Sequence, residues 1–461
     1  MFLNFVWQQE YPQRLLNVCE MGLIIKTFLI VLGLLLFFVP RKYKLVILLF
    51  SILCMSDVIV LAGSHYYISL CCLVSEITHF LNSINRIRRS IIYKVLLIIM
   101  IGTIAAIIMS PHCHTIKSIV KLLFSDLIAK YFFIAYAYLC LRRERDLKSL
   151  FKLIDVCMIL ITIFAIHNYI TKQSIWFHMI YPDGLKDIGA SGFEMQERFR
   201  VQSMFVSPFN YGFICVWASV IYLYQYCRGL CKGSKFAFFG GLCILGMIIC
   251  GCRLIPICWI IGYATFLYFI TSKVQRIKYS FWFLSALCVI YFLIPDGIKS
   301  GFYESYSHML NMDISSKSFD GGSSIAMRIV QVLTVFSYIQ GHWLFGRGVD
   351  FFNIDLGWAD RDAAATTDDL WGMEGIHLSL LLERGFFGLF IWLYVYYSLF
   401  VFFHNRKKYE LFESSLGISL IVIYMVFSLS TGELGSSFAT LFSLGLIIKM
   451  IEMKDINCKL K

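Results

Sequence analysis

Glu374 and His377 stand three residues apart at the head of an apolar run, so on a helix they share one face. A carboxylate beside an imidazole at an apolar boundary can hold a proton acceptor near neutral pH, as a general base requires. The competing reading is structural, because a glutamate in the first turn of a helix is favoured by the helix dipole alone. Elsewhere the sequence offers a set of permanent cations. Arg198 and Arg200 lead into "VQSMFVSPFNYG", Arg253 ends "CGCR", and Arg328 and Arg347 flank "IVQVLTVFSYIQGHWLFG". A guanidinium donates two parallel hydrogen bonds from a planar fork and does not deprotonate, which suits it to phosphate and diphosphate. At each single position the alternative is an arginine that snorkels to lipid headgroups.

Other chemistries lack their motifs. There is no Walker loop, no GxGxxG after a strand and no HExxH, so nucleotide and zinc chemistry have no sequence support. Asp360, Asp362, Asp368 and Asp369 could bind a divalent cation, but the simpler reading is a solvated loop, and we expect no metal and no cofactor. Glu383 lies roughly 13 Å beyond Glu374 along a helix. That places it near mid-membrane, where a carboxylate must find a partner or be protonated. Its neighbour Arg384 points elsewhere on the helix, so the two do not form an obvious pair, and both read as packing residues.

The elements that position these groups are membrane helices. The 461 residues are 59% hydrophobic, 17% aromatic and only 15% charged, with mean hydropathy +0.73, too apolar for a soluble chain of this size. The 16 Cys fall mostly within apolar runs, where a thiol acts as a small hydrophobe, and their spacing gives no disulfide or metal framework. The opening "MFLNFVWQQEYPQRLLNVCE" lacks a basic stretch and cleavage site, so the first span is expected to be retained. Apolar runs long enough to cross a bilayer fall near 22–39, 44–62, 64–81, 91–110, 119–141, 150–171, 205–227, 236–251, 253–271, 281–295, 375–403, 411–430 and 434–452. The run at 64–81 is the doubtful one, because it contains Glu76 and His79.

The formal charge of +12 sits in short blocks between spans, at "PRKYK", "RIRR", "RRERDLK", "RGLCKGSK", "SKVQRIK", "NRKK" and the tail from Lys454. This is a positive-inside pattern and not a nucleic-acid face. Placing all of these blocks in the cytoplasm leaves two long connections outside, 171–204 and 295–374. Arg198, Arg200, Arg253, Arg328 and Arg347 then all fall on the outer side, against the usual bias. Within the second connection Arg328, Gln331, Thr334 and Ser337 recur every three residues, the polar stripe of a helix that would lie on the membrane or cover a cavity mouth. The expectation is one all-α, polytopic membrane domain over 1–461, with about 12 or 13 spans and a large outer loop carrying an amphipathic helix.

Four segments resemble signatures of the O-antigen polymerase and ligase superfamily. "EGIHLSLLLERGFFGL" resembles the second signature, with Glu383, Gly385, Gly388 and Leu389 in register. "RVQSMFVSPFNYG" resembles the first, through Arg200, Pro208 and Asn210. "GCR" at 251–253 resembles a Ser-Arg turn with Cys252 in place of Ser. "MRIVQVLTVFSYIQGHWLFGRGVDFF" resembles an Arg-led helix that ends in a Gly-x-Gly turn.

The resemblance implies a GT-C-like glycosyltransferase of the bacterial inner membrane, facing the periplasm. It would move a glycan from undecaprenyl diphosphate to an acceptor sugar, without metal or nucleotide. Arg200, Arg253 and Arg328 would hold the diphosphate, with Arg198 and Arg347 as further candidates, and Glu374 or His377 would serve as base. Ligases usually carry histidine at the position of Glu374. That departure favours a polymerase joining lipid-linked repeat units over a ligase delivering polymer to lipid A core, although His377 one turn on keeps the ligase open. A flippase for the same lipid-linked sugar is the reading from another class, but the chain shows neither related halves nor symmetry. The partners implied are lipid-linked donor and acceptor glycans, membrane lipids and a chain-length regulator.

Overall fold

The computed structural model describes residues 20–55, 64–174, 176, 200–205, 207–272, 274–276, 307, 325–357, 370, 375–429, 431 and 434–459. Among these residues the regular structure is helical throughout, without a strand. The first five helices are α1 (Glu20–Phe38), α2 (Arg41–Cys54), α3 (Ser64–Asn82), α4 (Ile84–Arg88) and α5 (Ile91–Met109). α6 (Ile116–Leu123) then passes through a π-helical stretch, Phe124–Tyr131, into α7 (Phe132–Cys140). α8 (Leu147–Thr171), α9 (Pro208–Cys227), α10 (Gly233–Ile249) and α11 (Leu254–Ile270) follow. The remaining helices are α12 (Ile325–Tyr338), α13 (Phe351–Ile354), α14 (Ile376–Arg406), α15 (Leu411–Phe427) and α16 (Leu434–Lys459).

Among the described residues, four stretches are long and apolar enough to cross a membrane: Ile91–Met109, Glu144–Thr171, Ile376–Arg406 and Ser436–Lys454. Shorter apolar helices cover Leu23–Phe38, Gly233–Ile249, Leu254–Ile270 and Leu411–Phe427. The chain is a helical membrane protein by this measure. The run at 64–81 forms a regular helix of 19 residues, and its Glu76 is buried against Lys44 (2.6 Å) and Arg41 (3.0 Å). The run expected at 281–295 and the end of the one at 44–62 lie outside the described residues.

Burial follows the logic of a bilayer. α5 turns Met100, Ile101, Ile104 and Ile108 outward, whereas α16 buries Ser436, Ser437, Thr440 and Ser443 at the centre. Apolar side chains are at no disadvantage facing lipid, and small polar residues allow helices to approach closely. Gly445 of α16 shows that approach, since a Cβ there would stand 3.0 Å from the Ala137 methyl of α7.

One end of the bundle gathers the basic connections. Lys454 bonds Glu410 (2.7 Å) and Glu413 (3.0 Å), and Arg228 reaches the same Glu413 at 2.8 Å. Lys235 pairs with Asp155 at 2.6 Å. The helix ends that the charge pattern places on one side are thus tied together there.

α14 departs from the single continuous span expected at 375–403. Gly385 is non-helical, with φ 63° and ψ −166°. An unbroken helix would bond Phe386 N–H to the Leu382 carbonyl and Phe387 N–H to the Glu383 carbonyl. Here both bonds are open, and residues 343–348 occupy the gap. Phe386 and Phe387 N–H donate to the carbonyls of Trp343 (2.9 Å) and Leu344 (3.0 Å), and the Leu382 and Glu383 carbonyls accept from Arg347 N–H (2.8 Å) and Gly348 N–H (3.0 Å). Two helical bonds are replaced by four to a strap. The strap that fills the break comes from the connection between α12 and α14. The strap meets α14 at Gly385, roughly 13 Å along the helix from its start, and protein groups satisfy the broken backbone there, as an apolar surrounding requires.

Candidate functional site

Arg200 begins a short segment that is held from both sides. Val201 N–H donates to the Ile249 carbonyl (3.4 Å), and Gln202 N–H donates to Asn168 Oδ1 (3.1 Å). Ser203 has a left-handed φ of 55°, a conformation uncommon outside glycine, and its hydroxyl donates to the Ile161 carbonyl at 2.6 Å. Ser207 then caps α9 by accepting from Phe209 N–H (3.1 Å), and Pro208 opens the helix, where its missing N–H is not needed.

This packing brings two of the candidate cations onto neighbouring backbone. The Arg200 side chain lies over Gly251, with its Cγ 3.4 Å from where a Cβ of that glycine would stand. Gly251 has φ 67° and makes the turn from which Arg253 opens α11. The Arg200 guanidinium is 6.0 Å from the centre of the Phe209 ring. Its Nε is buried and has no hydrogen-bond partner among the described residues. A buried charged donor left unpaired is costly, and an anionic oxygen would relieve it.

His377 stands in the first turn of α14. Its Nε2 is 3.1 Å from Ser428 Oγ, and its ring meets Trp392 edge to face at 4.8 Å. Ser428 follows Phe427, whose ring packs on Phe213 at 4.6 Å, and Phe213 is one helical turn from the Phe209 that Arg200 overlies. Arg200 and Phe427, the chain neighbour of His377's partner Ser428, therefore pack on successive turns of the same helix.

Arg328 and Arg347 belong to α12 and its strap. Arg328 Nη1 donates to Gln331 Oε1 at 2.9 Å, and Gln331 is fully buried. Arg347 Nε donates to the Tyr338 carbonyl, which closes the C-terminus of α12. Arg328 and Arg347 thus sit at opposite ends of one helix. Arg198, Glu374 and the loop acids Asp360, Asp362, Asp368 and Asp369 lie outside the described residues.

A partly buried ion pair carries no pairing signal in the sequence. Arg384, read as a packing residue, pairs with Asp126 of the π-helical stretch at 2.6 Å. Thr103 Oγ1 donates weakly to the same carboxylate (3.4 Å), and Gly388 leaves room for the Arg384 stem. Near the strap, Lys121 pairs with Asp350 (3.3 Å), His112 Nε2 lies 2.7 Å from Asp355, and Val349 N–H donates to Ser110 Oγ (3.0 Å). The available signal was Asp126 and Lys130, four residues apart inside an apolar run; π-helical turns often mark such functional or strained places.

The four signature-like segments therefore form two interlocked units. "RVQSMFVSPFNYG" lies on the turn of "GCR", and the Gly-x-Gly turn is the strap that fills the break in "LLLERGFFGL". No protein-family model matches the chain, and no curated protein matches its sequence.

Proposed function

We propose that this chain is a surface-polysaccharide polymerase of the bacterial inner membrane, GT-C-like in architecture, which joins undecaprenyl-diphosphate-linked repeat units at the periplasmic face. The observation that carries the reading is the seating of Arg200, whose buried Nε has no partner among the described residues, on the Gly251 turn that precedes Arg253. Two guanidinium groups on adjoining backbone segments suit a diphosphate, which supplies acceptor oxygens to both forks.

In the reaction, a hydroxyl of the acceptor repeat unit attacks C1 of the donor's reducing-end sugar. The C1–O bond to the diphosphate breaks, and its electron pair leaves on the diphosphate oxygen. Arg200 and Arg253 would stabilise that developing charge, with Arg328 as the third cation of the set. The hydroxyl proton passes to a base, for which Glu374 and His377 are the candidates. His377 supports the base role, because Ser428 and Trp392 hold its ring in one orientation.

Deleting the gene in its host tests the reading. Surface lipid carrying a single repeat unit supports the polymerase. Polymer left on the lipid carrier would identify a ligase, and loss of every outward repeat unit a flippase. Complementation with Arg200→Ala, Arg253→Ala and Arg328→Ala refines the test. If all three restored long polymer, the diphosphate site would be wrong.

A further inference from the structure

We propose that Ser428 is a positioning residue that fixes His377 as the Nε2–H tautomer and leaves Nδ1 as its basic nitrogen; the inference rests on the reading of His377 as a base. Ser428 Oγ lies 3.1 Å from His377 Nε2 and 2.8 Å from the Met425 carbonyl. A carbonyl can only accept, so the single hydroxyl proton goes to Met425. Toward the ring, Oγ has lone pairs to offer and no proton. Nε2 must then carry the hydrogen. In a neutral imidazole one nitrogen donates and the other accepts, so Nδ1 is the bare one.

The surrounding backbone makes this arrangement rigid. Ile376 N–H donates to the Ser428 carbonyl at 3.3 Å, and a Cβ on Gly375 would stand 3.1 Å from the Leu429 carbonyl oxygen. The start of α14 therefore lies close against the end of α15 beside the His377–Ser428 contact. Trp392, itself buried, packs edge to face on the ring.

The arrangement suits proton transfer. When the acceptor hydroxyl loses its proton to Nδ1, its oxygen bonds to the donor C1 and the diphosphate departs with the C1–O electron pair. The imidazolium that results still donates Nε2–H to Ser428 Oγ. Ser428 accepts from the ring before and after the transfer, so nothing has to turn, which is the sense in which the site is preorganised.

The test uses full-length protein in lipid nanodiscs, labelled with 15N-histidine, with His377→Gln to assign the resonance. The expected result is an Nε2–H tautomer for His377 in the wild type, a tautomer mixture in Ser428→Ala, and recovery of the single tautomer in Ser428→Thr. An Nδ1–H tautomer in the wild type, or an unchanged spectrum in Ser428→Ala, overturns the inference. The accompanying activity measurement uses lipid-linked repeat units extracted from a host that lacks the gene. Ser428→Ala should lower kcat about tenfold at unchanged KM, a part of what a general base contributes, and Ser428→Thr should restore it. If the wild type shows the expected tautomer but forms no polymer, the polymerase reading fails while the tautomer assignment stands.

Discussion

Gly346 and Gly385 meet backbone to backbone. A Cβ on Gly346 would stand 2.6 Å from the Gly385 amide nitrogen, and a Cβ on Gly385 would stand 2.6 Å from the Gly346 amide nitrogen. Both have positive φ, 70° and 63°, so any other residue would be strained even without the clash. Gly385→Ala is expected to destabilise the protein by about 3 kcal/mol or more, combining the strain of a conformation nearly confined to glycine with displacement of the strap. Gly346→Ala should behave similarly. Gly341 also has positive φ but faces open space, so Gly341→Ala should lose only about 1–2 kcal/mol. Thermal melting of the three purified variants checks the order. Equal melting of Gly385→Ala and wild type would refute the docking of the strap.

The Asp126–Arg384 pair makes a second prediction. At 2.6 Å and mostly buried, it ties the π-helical stretch to the segment just before the break in α14. Removing one partner of such a pair strands a charge and costs roughly 3–5 kcal/mol, whereas removing both restores much of the loss. Asp126→Ala and Arg384→Ala should each lower the melting temperature sharply, and the double variant should melt above either. Additive losses in this cycle would mean that the two charges do not interact.

Why this pair was invisible in the sequence is instructive. Its members are 258 residues apart, and nothing in "FSDLIAKY" or "LLERGFF" names a partner. What the sequence carries well is local: apolar runs long enough for a bilayer gave helices at 22–39, 91–110 and 150–171 close to those observed. Buried Glu76 looked like a reason to doubt α3, because its partners Lys44 and Arg41 come from another helix. The break at Gly385 was hidden for a related reason. Glycine is common within membrane helices, and only the strap, from a connection assigned outside, shows which glycine interrupts the hydrogen bonding. Of the candidate site, Arg200 and Arg253 could be named from residue type, but the seating of Arg200 on the Gly251 turn depends on Val201 pairing with Ile249. Ser428 carried no signal at all, being one serine among many and 51 residues from His377.

The orientation of α12 gives a third prediction. Leu333 is 62% exposed while Gln331 is fully buried, and Ile329 and Phe336 share the exposed side. The buried face also holds Val335 and Ile339, so the helix carries apolar side chains on both sides, more than a helix facing only water would turn outward. The exposed apolar stripe fits contact with lipid, in continuity with Trp343, which stacks on Phe386 of α14 at 6.2 Å. In nanodiscs Leu333→Asp should lower stability by about 2 kcal/mol, approaching the penalty for a carboxylate in the hydrocarbon region. A change within about 0.5 kcal/mol, as for ordinary solvent-exposed positions, would place this face in water.

The last prediction concerns the geometry of charge at the candidate diphosphate site. If Arg200 and Arg253 served only as surface cations, lysine would replace either one with little effect, since the charge is retained. If they grip a diphosphate, lysine loses the planar fork and with it the paired hydrogen bonds. The packing of Arg200 sharpens the contrast, because its stem lies along Gly251 and its buried Nε is part of the fork. A lysine ammonium on the same path would present one point charge and leave the second anionic oxygen without a partner. Arg200→Lys and Arg253→Lys should therefore each weaken binding of undecaprenyl diphosphate about tenfold, equivalent to about 1.4 kcal/mol. Binding of undecaprenyl monophosphate should change less, because it has fewer oxygens to share between two forks. Titration of both lipids into nanodisc-embedded protein measures the difference. Equal weakening for the two lipids would reduce the arginines to a general attraction for anions and remove the diphosphate from the reading.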